Sequence, residues 1–318
     1  MESMKRRSFL QKSVLTGMGM TLLSSAKLNA GSKENKAPIT IPTGKPSNKP
    51  FRFGLLTETE ELGEKMDKGY DEAIIPVEIM MKPLEKNSEW YPMRDKIKSW
   101  GFPMRSASHY PGPSGPFTGP DVDFELAEFY AKRAIDRCAE LGIVIVGIYG
   151  MFFPVPDGFS KTRATDQAIR FCNMLADLVE PRGMYVALEP RAEEKDLWPR
   201  YLDGVEFARR VGRPGIRCMA DTNYFIKLNQ DLNDIKKYPE YCIHADTQGD
   251  NSAQPGVGDR EKIHTEFFRV LRDIGYENCV SLACPWINTS GGAEIDLAFE
   301  TKKSLDYVKR IRDKVYAE

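Results

Sequence analysis

The chain has 318 residues, with 45 Lys and Arg against 46 Asp and Glu, for a formal charge of −1 at neutral pH. Its 41% hydrophobic and 29% charged residues describe a globular protein, not a disordered, collagenous or disulfide-stapled one. The even charge opposes nucleic acid as the main partner, which needs a basic face, and a mean hydropathy of −0.44 opposes a membrane-spanning enzyme.

In chain order, the first element is a leader. Met4-Lys5-Arg6-Arg7-Ser8-Phe9-Leu10 places a basic pair before Phe-Leu and resembles a twin-arginine export signal. An uncharged, weakly apolar stretch runs from Ser13 to Ala26, and Ser24 and Ala26 offer small residues to a signal peptidase. Residues 1–26 are therefore expected to be a signal peptide, and the protein periplasmic or otherwise exported. No cysteine lies near the leader, so a lipid anchor is not expected. Residues 27–50, rich in Lys, Asn, Ser, Gly and Pro, read as a flexible linker.

From residue 51 to 318 a single domain is expected. Strand-like runs cover 51–57, 73–80, 103–108, 143–149, 184–189, 216–221, 241–245 and 279–283. Helical periodicities lie between them. Ala127, Tyr130, Ala131, Ala134, Ile135 and Cys138 form one apolar stripe, and Ala168, Ile169, Cys172, Leu175, Ala176 and Val179 another. Strands alternating with helices imply a parallel sheet, and eight such units over about 265 residues match a closed (β/α)8 TIM barrel. An open doubly wound sheet is the alternative, but no Gly-rich dinucleotide or phosphate loop follows the first strand. None of the six cysteines shows CxxC spacing, so buried free thiols are expected.

In such a barrel the chemistry sits at the carboxyl ends of the strands. The polar residues closing the apolar runs are Glu78, His109, Glu189, Asp221, His244 and Asp246. An unpaired buried charge is costly, so their convergence on one mouth calls for a reason. Oxygen and imidazole donors together suit Mn²⁺, Zn²⁺, Co²⁺ or Mg²⁺. A satisfied ion-pair network at the rim is the competing reading. Tyr149, Phe152, Phe153, Trp90, Trp198 and Trp286 follow strand ends and could wall a sugar pocket or simply be core. His264, inside a helical pattern, reads as structural. The loop Tyr110 to Pro116 reads as a lid or rim segment.

These residues carry a family resemblance. Met184-Tyr185-Val186-Ala187-Leu188-Glu189-Pro190 is similar to the fifth-strand glutamate motif of the xylose isomerase-like sugar isomerase and epimerase superfamily, which also holds endonuclease relatives. Met219-Ala220-Asp221-Thr222-Asn223-Tyr224 resembles its sixth-strand aspartate motif. Ile243-His244-Ala245-Asp246 and Pro255-Gly256-Val257-Gly258-Asp259 resemble the seventh-strand histidine and its loop. The resemblance implies a divalent metal held by Glu189, Asp221 and His244, with Glu189 also moving a proton. It implies a second glutamate on the eighth strand as well, where this chain has Ala283. Asp246, two residues beyond His244, could take that lost place or bind substrate. Tyr224 stands where many members carry a substrate-binding histidine.

Losing one acid disfavours two-base epimerisation and leaves one-base chemistry. The expectation is an exported carbohydrate enzyme, isomerase- or epimerase-like, or a lyase or hydrolase on a keto-sugar. The expected roles are Glu189 and His109 in catalysis, and Glu78, Tyr224, Asp246 and Trp286 on the substrate. A small carbohydrate is the expected partner, and a homo-oligomer is compatible with the chain. The alternative is a non-catalytic carbohydrate-binding barrel with a decayed metal site.

Overall fold

The computed structural model describes residues 39–110 and 115–318, the side chains of His109 and Tyr110 excepted. The leader, the first part of the linker and Pro111–Ser114 of the proline-rich loop lie outside the described residues. Eight parallel strands close in sequence order into a barrel. They are β1 Arg52–Leu56, β2 Glu72–Pro76, β3 Ser106–Tyr110, β4 Ile145–Tyr149, β5 Tyr185–Glu189, β6 Ile216–Asp221, β7 Cys242–Thr247 and β8 Cys279–Leu282. The helices are α1 Glu60–Lys65, α2 Asn87–Ser99, α3 Phe124–Leu141, α4 Lys161–Val179, α5 Tyr201–Val211, α6 Thr222–Lys227, α7 Glu261–Asp273 and α8 Leu297–Tyr316.

The strands are almost wholly buried because both faces are covered, the outer one by helices and the inner one by the barrel's own filling. On α3 and α4 the buried residues follow the stripes read from sequence. Ser160 starts α4 by accepting from the Arg163 N–H. Gly142 ends α3 at φ 85°, a left-handed turn that lets the chain reverse into β4. All six cysteines are buried and free. Among the described residues no helix is long and apolar enough to cross a membrane.

The inside of the barrel is layered. Ile145, Ala187, Met219 and Ile243 fill the amino-terminal end, and Ile39 and Ile41 pack against them from below. The Thr40 N–H donates to Asn278 Oδ1 at 3.0 Å, and Asn278 Nδ2 donates back to the Thr40 carbonyl at 2.8 Å. The Gly44 N–H donates to the Ile274 carbonyl. Residues 39–50 therefore depart from the flexible linker expected over 27–50. Two isoleucines spaced two apart plug the barrel floor.

Register fixes what stands at the upper end. On β6 and β7, Cys218 pairs with Cys242 but Met219 pairs with His244, so the ladder skips Ile243. The shift brings Asp221 opposite Asp246 and leaves His244 one layer lower, beside Met219.

Candidate metal and carbohydrate site

A cavity of about 780 Å³ opens at the carboxyl ends of the strands. Its walls include Tyr149 from β4, Glu189 from β5, Asp221 from β6 and Asp246 from β7, with Ala283 and Cys284 just past β8. The β5–β7 side is acidic. Glu189, Asp221 and Asp246 are each buried, and each offers one oxygen within 4.8 Å of the other two.

Each acid has a different local anchorage. Asp221 closes β6 and caps α6. Its Oδ1 accepts from the Asn223 N–H at 2.7 Å, and its Oδ2 accepts from Gln248 Nε2 at 3.2 Å. Glu189 pairs in register with Tyr149, and its Oε2 is buried without a partner. Asp246 Oδ1 lies 3.1 Å from His244 Nε2, without the geometry of a hydrogen bond.

This concentration of charge shifts proton affinities. Burial pushes Glu189 well above the usual carboxylate range, and Asp221 and Asp246 push it further, against the pull of Arg191. Burial, then Asp246, lifts Asp221 to about 7, while the Asn223 amide, Arg260 and Gln248 hold it down. Burial also pushes Tyr149 up, with Glu189 and Asp246 adding to it. Three acids in so small a volume either bind protons or bind a cation.

The close group offers oxygen donors alone, with His244 Nε2 beside it at 3.1 Å from Asp246 Oδ1. His244 belongs to the expected ligand set with Glu189 and Asp221, yet the close group takes Asp246 instead. The physical reason is the skipped residue at Ile243, which sets the imidazole below the acidic layer and against Asp246. Carboxylate oxygens favour hard cations such as Mn²⁺ and Mg²⁺ over soft ones.

The other expected residues fall as follows. Tyr224 lines the cavity, and its hydroxyl accepts from Arg191 Nε at 3.2 Å. Glu78 lines it too, from a single π-helical turn over Val77–Met81 beyond the end of β2 rather than from the strand itself. Trp286 is absent from the lining and packs against the core, where the neighbouring Ile287 backbone is held at both ends by Gln254. Among the other aromatics, Phe152 lines the cavity, whereas Trp90, Phe153 and Trp198 are core. Trp198 stacks on Phe207 with ring centres 4.3 Å apart. His109 is the last residue but one of β3, and its side chain is outside the described residues. His264 is a buried structural residue, 2.9 Å from the Gln248 carbonyl and 3.3 Å from the Tyr307 hydroxyl. Burial keeps the Cys284 thiol protonated, helped by Glu58 and Asp246, which argues against a thiolate ligand.

Sequence reasoning missed Arg191, Gln248 and Arg260. Gln248 lies two residues past Asp246 on the same run, so alternation could have found it. Arg260 bonds Asp250 at 2.8 Å and also reaches Asn223. The Pro-Gly-Val-Gly-Asp loop makes this possible, because Gly258 has φ 77° and any side chain there would collide with Asp250. Arg191 had no periodic signal, since it sits in the irregular segment after β5.

Similarity to known proteins agrees with the barrel fold. The family model described as "Xylose isomerase-like TIM barrel" matches residues 93–311. No curated protein matches the chain in sequence. Among solved structures, a D-psicose 3-epimerase in the presence of D-fructose superposes with a TM-score of 0.70 at 18% identity, over 82% of this chain and 99% of that one. A 3-keto-D-glucoside 4-epimerase from E. coli gives 0.62 at 16% identity, over 82% and 99%. The IolI protein with a bound zinc atom gives 0.58 at 14%, over 84% and 98%. At such identities the likeness is one of fold.

Proposed function

The chain belongs to the xylose isomerase-like TIM-barrel family, and from that premise we propose that it is a carbohydrate isomerase or epimerase, using a divalent cation held by Glu189, Asp221 and Asp246. The observation that carries the reading is the buried acidic group itself, three carboxylates within 4.8 Å with Glu189 Oε2 unpartnered. Hard oxygen donors fit Mn²⁺ or Mg²⁺. When bound, such a cation supplies Lewis-acid polarisation of a substrate carbonyl or hydroxyl.

The residues divide the remaining work. Glu189 takes the proton from the carbon next to the substrate carbonyl and returns it to the neighbouring carbon. The C–H electron pair moves toward the carbonyl oxygen, and the adjacent hydroxyl passes its proton to that oxygen as the new carbonyl forms. Tyr149 and Phe152 present ring faces to the sugar, and Tyr224 and Gln248 present polar groups. On the opposite wall, Ala283 stands where the family's eighth-strand acid would be, and the acids lining that side are the half-buried Glu58 and the exposed Glu78. The apolar residue at 283 supports one base acting on one face, a 1,2-hydrogen shift, over inversion by two bases. The Lys5-Arg6-Arg7 leader supports placing this activity outside the cytoplasm, on free or keto-sugars rather than sugar phosphates.

Incubating the manganese-loaded protein with D-fructose, D-psicose and a 3-keto-glucoside in deuterium oxide tests the reading. The expected result is a metal-dependent isomer carrying deuterium at the shifted carbon, absent in Glu189→Gln. Saturable sugar binding with no exchange on any of the three would instead favour the non-catalytic barrel, for which the apolar residue at 283 is the specific support.

A further inference from the structure

Three cations line the cavity, and two are committed within the protein. Lys227 pairs with Glu193, and Arg260 is held by Asp250 and Asn223. Arg191 is different. Its Nε donates to the Tyr224 hydroxyl at 3.2 Å, and among the described residues its two Nη groups reach no acceptor. The guanidinium lies 5.7 Å from the Tyr149 ring centre and 6.0 Å from that of Tyr224, so two phenol rings flank it. It is half-buried, and Glu189 and Asp196 act on it electrostatically without forming an ion pair.

The backbone gives a second, independent sign. Ala192, the next residue, has φ 60°, a left-handed conformation that a residue with a Cβ adopts only when its surroundings impose it. Its N–H donates to the Pro199 carbonyl at 3.0 Å, which fixes that turn. The turn brings Arg191 and Glu193, on either side of it, both to the cavity wall.

We propose that Arg191 is a specificity-determining anchor for a carboxylate on the substrate, so that the site prefers acidic sugars, uronates and related sugar acids, over neutral ones. A planar fork with both Nη groups uncommitted matches the two oxygens of a carboxylate. A phosphate dianion fits less well. No second cation of the cavity is uncommitted, and the nearest helix start, that of α6, is already capped by Asp221. Arg191 stands two residues beyond Glu189, so an acid group held there leaves the rest of a sugar over the acidic layer. The inference rests on the proposed cation, because three uncompensated carboxylates would repel an anion from this wall.

Calorimetric titration of the full-length protein in saturating manganese chloride tests it, with D-glucuronate and D-galacturonate set against D-glucose and D-galactose. The wild type should bind each uronate at least about tenfold more tightly than its neutral counterpart, the scale of a hydrogen bond to a charged group. Arg191→Gln should erase that preference, and Arg191→Lys should keep part of it as a point charge. Equal affinities in the wild type, binding of none of the four sugars, or a preference that survives in Arg191→Gln would overturn the inference. The manganese titration in the same samples judges the cation separately. A protein that binds manganese but shows no uronate preference overturns the role of Arg191 and leaves the metal reading standing.

Discussion

Replacing Glu189 by Gln should raise the melting temperature of the metal-free protein, the reverse of what a buried substitution usually does. The three acidic oxygens lie within 4.8 Å of one another. At an effective dielectric constant of about 20, two unit charges that far apart repel by about 3.5 kcal/mol. Glu189 binds its proton more tightly folded than unfolded, so its contribution to stability is complete below its ordinary value of 4.5. That contribution is lost as pH rises through the elevated folded value, and at pH 8 much of the loss has occurred. The amide side chain would keep the shape and shed the charge. Discounting for Arg191 and for relaxation, the gain should be about 2–3 kcal/mol, or roughly 4–12 °C for a domain of this size. Manganese should close the gap. The wild type gains about 2.7 kcal/mol when the ion stands at a hundred times its Kd, and the variant gains almost none. Scanning calorimetry at pH 5 and pH 8, with a chelator and then with manganese, measures all of these. A variant that melts below the wild type at pH 8 without metal, or that keeps the full manganese shift, would refute the reasoning.

His264 should make the fold acid-sensitive. Burial lowers it from 6.5 to about 4, so its contribution is present above pH 6.5 and lost as pH falls through 4. The loss is about 3 kcal/mol, and urea midpoints of His264→Gln should show a shallower slope over that window. Ala283→Glu, which places a fourth acid on the apolar wall beside Leu56, should tighten manganese binding about tenfold; unchanged affinity would put residue 283 out of reach of the acidic group. For the leader, Arg6→Lys with Arg7→Lys should leave uncleaved precursor in the cytoplasm, read by fractionation and the mass of the mature chain. Normal export of that variant would show the basic pair to be unimportant.

The barrel was legible because both of its signals are local. Apolar runs of strand length alternate with 3.6-residue stripes, and Gly142 and Gly183 mark where helices stop. Glu189 and Asp221 were legible for a related reason, since a charge that closes a buried strand must be accounted for where strands converge. That Asp246 rather than His244 joins the close acidic group was only half legible, since the sequence offered both as candidates. Ile243 carries no mark of being skipped, and a one-residue shift in register changes which neighbour stands in the mouth. The floor of the barrel was hidden by composition, because Ile39 and Ile41 are two apolar residues in a segment otherwise rich in Lys, Pro and Gly. Glu78 was found by the wrong route, as a strand end, and reaches the cavity from a helical turn instead. Arg191 depends on a left-handed alanine, which no propensity predicts.

Manganese binding by Asp246→Asn and His244→Gln, compared by calorimetry with the wild type, tests the central claim most directly. The acidic group of Glu189, Asp221 and Asp246 predicts one ion per chain in the wild type and in His244→Gln, and none in Asp246→Asn. Binding that survives in Asp246→Asn and is lost in His244→Gln would contradict it.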